Sequence, residues 1–160
     1  MDKSIEIPDE LIEVQKDATI AMDGLTINSL EFLSIISLHI YFRTMYYIPN
    51  STAVYYQIAL NNIISVYKSS GSDLTKNSRD SEFQAELDPI VVTYDPSITV
   101  NYTNPQEHFT QSDRNNQYIK KHFGAVYHRL PFDRLPHEMV KYLGLELARK
   151  LNIFPAKHGV

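Results

Sequence analysis

The chain has 160 residues, ordinary hydrophobic content, no cysteine, and a formal net charge of −4 at pH 7. That length suits one domain with a real core, and the missing cysteines exclude a disulfide framework, a thiolate nucleophile and a Cys-based zinc site. The acidic balance argues against indiscriminate nucleic-acid binding by the whole surface. No run is apolar enough to span a bilayer, because Asn28, Glu31, His39 and Arg43 interrupt the most apolar stretch, so the reading is an intracellular chain without a membrane segment.

Residues 1–16 are acidic, with Pro8 early, and read as a poorly ordered leader. Asp17 to Asp23 is a short run with β-branched and small apolar residues and predicts a strand ending at Asp23-Gly24. Leu30 to Ser37 and His39 to Ile48 follow as two more strands, and the short connections make the three an antiparallel meander. A helix opens after Pro49, with Asn50 or Ser51 as N-cap, and buries Tyr56, Leu60, Ile63, Ile64 and Tyr67. Ser69-Ser70-Gly71 ends it. Residues 73–79 are weak in strand propensity, but the slot after a crossover helix is where a parallel strand belongs, and it would end at Asp80. Glu82 to Leu87 reads as a short helix and Ile98 to Tyr102 as the last strand.

Pro105, in Asn104-Pro105-Gln106-Glu107-His108, stops any regular element from running through. An amphipathic helix starts near Gln111 or Ser112 and runs to about Arg129, with Ile119, Phe123, Val126, Tyr127 and Leu130 as its apolar stripe. Asp113 therefore lies in the first turn, where the helix N-terminus favours negative charge, and at the edge of the buried face. Lys120 is two turns further along the same side. A final helix begins at Pro136 on a stripe of Val140, Leu143, Leu147 and Leu151, with Pro155 beyond its end. Residues 17–155 form the domain and 156–160 a tail. Charge divides unevenly: residues 1–100 hold 6 Lys and Arg against 14 Asp and Glu, a balance of −8, while residues 101–160 hold 9 against 5, a balance of +4. His108 and His122, with no cysteine partners, read as surface or polar-network residues rather than zinc ligands.

The order of elements implies one mixed sheet of five strands flanked by helices. With acidic residues at the ends of the first and fourth strands and a third on a later helix, this is the layout of the ribonuclease H-like α/β fold. From Lys16-Asp17 to about Pro155 the chain resembles the catalytic core of copia-type retrotransposon integrases. Asp23 matches the family's first aspartate. Arg79-Asp80-Ser81-Glu82-Phe83 matches in part the stretch holding the second. Asn104-Pro105-Gln106 and Ser112-Asp113-Arg114-Asn115-Asn116-Gln117 occupy the places of the third, 33 residues after Asp80. Leu135-Pro136 and Leu151 to Pro155 echo the family's last helix.

The resemblance implies phosphoryl transfer: Asp23, Asp80 and Asp113 as catalytic residues and ligands of two Mg²⁺ or Mn²⁺ ions, and 3′ processing and strand transfer of element DNA into target DNA. It also implies Arg114, Asn116, Lys120 and Lys121 at the nucleic acid, a homo-oligomer, and action in the nucleus at the integration step. The sequence departs from the family where Asp113 replaces Glu, Gln117 replaces Arg, and Arg79 replaces Ser or Cys ahead of the second acid. Shortening the third acid withdraws its carboxylate by about 1.5 Å, one C–C bond. The competing reading is therefore a catalytically inactive nucleic-acid-binding or interaction domain that keeps the fold. A nuclease acting on RNA–DNA hybrids fits the Asn-Pro-Gln and Asp-Arg-x-Asn motifs less well.

Overall fold

The computed structural model describes residues 17–38, 41–69, 73–80, 99–103 and 110–153. The leader, the short helix expected at Glu82 to Leu87, the Asn104 to His108 stretch and the tail lie outside them. Three strands come first: β1 (Asp17–Ile27), β2 (Leu30–Ser37) and β3 (Arg43–Ile48). Helix α1 (Ala53–Ser69), strands β4 (Asp73–Asp80) and β5 (Thr99–Thr103), and helices α2 (Thr110–Tyr127) and α3 (His137–Leu151) follow.

The sheet order is β3-β2-β1-β4-β5. β1, β2 and β3 pair antiparallel, as the short connections predicted, and β4 joins β1 in parallel after the α1 crossover. The boundaries of β1 and β3 differ from the sequence reading. β1 does not stop at Asp23-Gly24 but runs on to Ile27 against β2, and the hairpin turns at Asn28-Ser29, both at positive φ. That pair of left-handed residues is the two-residue turn whose twist matches the flanking strands. Asp-Gly is also a turn signal, but here the β2 register through Gly24↔Leu33 and Leu25↔Phe32 buries Leu25 and Ile27 and holds the strand extended. β3 starts at Arg43 rather than His39, after Tyr41 at φ 53.

Alternation along the strands splits the core into two layers. Ile20, Met22, Leu33, Ile35 and Ile48 pack on one face against Tyr56, Ala59, Leu60, Ile63 and Tyr67 of α1. This is the stripe the sequence predicted for α1, with Ile64 partly buried at its edge. Helix α1 begins one or two residues later than expected, after Thr52, whose carbonyl oxygen accepts from Tyr55 and Tyr56. On the other face, Leu25, Ile27, Leu30, Phe32 and Met45 meet Ile119 and Phe123 of α2 and Val140, Leu147, Ala148 and Leu151 of α3.

The α2 stripe is shifted from the one expected. Its buried residues are Ser112, Asn115, Asn116, Ile119 and Phe123, while Val126 is exposed. The first two turns thus bury polar side chains. Residues 112, 115/116, 119 and 123 keep helical spacing, so the same face simply begins earlier and is polar where it starts. Helix α3 packs close to β3 at Gly144, where a Cβ would stand 3.0 Å from Met45 Cε and 3.5 Å from Phe32 Cζ and would make the flexible Met45 end give by a few tenths of an ångström.

Candidate active site

Strand β1 loses its β4 partner after Met22, which pairs with Arg79, but keeps β2 alongside as far as Ile27. Asp23 is therefore the first residue past the point where the parallel pair parts. By alternation it faces the α2 side with Leu25 and Ile27, and it lies in register with Ser34 of β2.

Its carboxylate is held on both oxygens. The Gly24 backbone N–H donates to Asp23 Oδ1 at 2.8 Å. Asn116 Nδ2, from the second turn of α2, donates to Asp23 Oδ2 at 2.6 Å and to the Gly24 carbonyl at 3.1 Å. Ser34 fixes which way round the amide sits: its hydroxyl donates to Asn116 Oδ1, with the Asp23 carbonyl at 3.3 Å as a weaker second acceptor. An amide whose oxygen faces Ser34 must turn its NH₂ toward Asp23. Ser34 is 1% exposed and Asn116 9%, so the relay is shielded from competing water, where such bonds are strongest.

Asp80 enters through its backbone position. It follows Arg79, the partner of Met22, so it stands on the strand adjacent to Asp23 at the matching level, and it pairs with Thr103 of β5. Asp113 is half-buried in the first turn of α2, three residues before Asn116 and hence on the same side of the helix. The backbone thus brings the three acids predicted from sequence to one end of the sheet. Among the described residues no three His, Asp or Glu side chains cluster in metal-binding geometry, and the Asp80 side chain is outside that set.

The four residues expected at nucleic acid divide. Arg114, Lys120 and Lys121 are exposed on α2 and form no ion pair with a described residue. By contrast, the basic side chains Lys141, Arg149 and Lys150 of α3 pair with Glu138 or Glu146 on their own helix. Asn116 is not on the exposed face: its side chain is buried against the sheet, committed to Asp23 and Ser34. His122 lies at the α2 surface with Nδ1 on the Tyr118 carbonyl oxygen at 2.9 Å and its ring 4.2 Å from that of Tyr118.

The sequence carried faint signals of what was missed. Ser34 is a polar residue in the inward row Phe32, Ser34, Ile36, and Asn115-Asn116 interrupts the approach to an apolar stripe. Either pattern alone marks a buried polar group needing a partner. Pairing them required knowing that α2 lies over β1 and β2.

No protein-family model matches the chain, and no curated protein matches it in sequence. Its fold is similar to that of a solved structure, the catalytic core domain of BIV integrase. The TM-score is 0.63 at 17% identity, over 91% of this chain and 89% of that one. The chain therefore has an integrase-core-like fold of mixed α/β type. No helix among the described residues is long and apolar enough to cross a membrane.

Proposed function

We propose that this chain is the catalytic core of a copia-type retrotransposon integrase, which processes the 3′ ends of element DNA and joins them to target DNA by metal-dependent phosphoryl transfer. The observation supporting this most strongly is the Asp23 carboxylate. It sits where two parallel strands part, has Asp80 on the neighbouring strand, and is gripped by an α2 amide one turn from Asp113.

In this reading Asp23, Asp80 and Asp113 hold Mg²⁺ or Mn²⁺. When bound, such ions would supply a Lewis-acid clamp on the attacking and leaving oxygens of an in-line displacement. The donor chemistry fits, since carboxylate oxygens are the hard ligands these cations take. The named donors to Asp23 are neutral N–H groups, which fix the carboxylate's rotation. Ser34 and Asn116 are positioning residues, because they touch Asp23 rather than the reacting atoms. Arg114, Lys120 and Lys121 would neutralise backbone phosphates along α2. A homo-oligomer working in the nucleus completes the proposal.

A second reading, an inactive nucleic-acid-binding domain, is favoured by one feature: Asp113 has a side chain one carbon shorter than the Glu of the family it resembles. A site that must place oxygens to within about 0.5 Å is sensitive to that loss.

A disintegration assay on a branched DNA substrate with Mn²⁺ separates the two readings. The proposal expects strand resolution that depends on metal and disappears in Asp23→Asn and in Asp80→Asn. Duplex binding without any metal-dependent resolution would establish the second reading instead.

A further inference from the structure

Arg43 is the first residue of β3, an edge strand of the sheet. Its backbone is clamped by Asn152 at the end of α3: Arg43 N donates to Asn152 Oδ1 at 2.7 Å, and Asn152 Nδ2 donates to the Arg43 carbonyl at 2.7 Å. Its guanidinium is fixed as firmly. Nε donates to Asn115 Oδ1 at 3.0 Å, Nη1 donates to the Tyr41 carbonyl at 3.3 Å, and the group lies 5.2 Å from the centre of the Tyr118 ring. None of these partners is an anion, and Arg43 forms no ion pair with any described residue. Burial lowers its pKa from the ordinary value, with Tyr118 acting in the opposite sense. A half-buried cation without a counter-ion is costly to maintain.

The second unmet requirement is next to it. Asn115 is 3% exposed, and its Oδ1 is occupied by Arg43, but its Nδ2 is buried with no acceptor among the described residues. A donor left this way loses the free energy of its water contacts and gains nothing in return. One chemical group meets both needs: an oxyanion, which offers charge to the guanidinium and lone pairs to its free amino group and to the amide. A water molecule would satisfy Asn115 but not the charge. A backbone phosphate matches best, because Arg114 and Lys121 lie along the same side of α2 at helical spacing from Tyr118, are exposed, and form no ion pair with a described residue.

We propose that Arg43 and Asn115, backed by Tyr118, form a phosphate-binding site that extends the nucleic-acid face of α2 onto the β3 edge of the sheet. It rests on the nucleic-acid reading above for the source of the phosphate. Its existence does not require catalysis.

The test uses the full chain labelled with ¹⁵N, titrated with inorganic phosphate against chloride at constant ionic strength, without divalent metal. Phosphate is expected to move the Asn115 side-chain amide resonances and chloride is not. The response should vanish in Arg43→Gln. In Asn115→Asp, which supplies a carboxylate against the guanidinium, the response is read at the Arg43 Nε–H resonance, and it should vanish there while Tm is kept or raised. In duplex binding across salt concentrations, both variants should show a slope shallower by about 0.9, one phosphate contact. Resonances unmoved by phosphate, or moved equally by chloride, would overturn the site. A phosphate response with unchanged duplex slopes in both variants would overturn the assignment to a nucleic-acid backbone. Should Arg43→Gln fail to fold, the native titration and Asn115→Asp decide the matter. A chain that responds to phosphate but fails in disintegration would lose the catalytic reading and keep this one.

Discussion

Asn116 Nδ2 stands 2.6 Å from Asp23 Oδ2 across 93 residues of sequence. It makes the first turns of α2 and the open end of β1 one structural unit, so the geometry at Asp23 depends on how α2 is docked. Replacing Asn116 by Asp removes the amide donor and sets a second carboxylate against the first. Two carboxylates at that distance cannot both ionise freely, so one folded-state pKa rises above its unfolded value. The folded state then holds a proton that the unfolded chain releases, and stability falls as pH rises above about 4. Urea denaturation should show Asn116→Asp losing ~1–3 kcal/mol more than the native chain between pH 4 and pH 7. Parallel pH profiles for the two proteins would mean that the Asn116–Asp23 contact does not persist in solution.

The alkaline limb reports on the opposite face. Burial raises the Tyr67 phenol to about 12, and Tyr46 adds to this. Ser37 is near enough to offset part of the rise, although Tyr67 Oη has no hydrogen-bond partner of ordinary geometry among the described residues. The folded pKa is above the unfolded one, so the contribution is intact below pH 10 and is lost as pH climbs from about 10 to 12, by ~2–3 kcal/mol. Tyr67→Phe should be neutral or stabilising at pH 7, because it removes a buried unpaired hydroxyl. It should also flatten stability over that alkaline window. An unchanged alkaline limb in Tyr67→Phe would assign the loss to another tyrosine.

Lys120 tests the exposed face of α2. Lys120→Glu should weaken duplex binding and make the salt slope shallower by about one or two phosphate contacts, with Tm essentially unchanged. A native slope in this variant would leave Lys120 as a solvated surface charge.

Much of the framework could be read directly from the sequence. The α1 stripe, the meander and the crossover to a parallel strand follow from period 3.6, from short connections and from the slot after a helix. Other features depended on contacts between distant segments. Asp23-Gly24 has the local chemistry of a turn, yet β2 pairing and burial of Leu25 and Ile27 carry the strand through it. Val126 fits an apolar stripe in a helical projection but lies outside the face that meets the sheet. The three acids were picked out by motif, although the strand that carries Asp23 runs past it to Ile27. Their support was not, because Ser34, Arg43 and Asn115 gain meaning only once α2 is laid across β1 and β2.

The length of the third acid gives a sharper functional prediction. If Asp113 holds its cation weakly because its arm is short, Asp113→Glu should raise metal-dependent disintegration by at least tenfold. A two-ion displacement needs both ions in place, so the response is not a graded one. Folded Asp113→Glu protein with no gain would move suspicion to Gln117 or Arg79. High activity with Asp113 unchanged would show that the backbone already compensates for the shorter arm.

The central claim is that Asp23 and Asp80 together hold a divalent cation. A crystal soaked in Mn²⁺, measured for anomalous scattering, tests this without requiring catalysis. The account predicts a peak bridging the two carboxylates at about 2.1–2.2 Å from an oxygen of each, with Asn116 still seated on Asp23. A map with no peak between them at saturating Mn²⁺, or with the two carboxyl groups turned to opposite sides of the sheet, would contradict it.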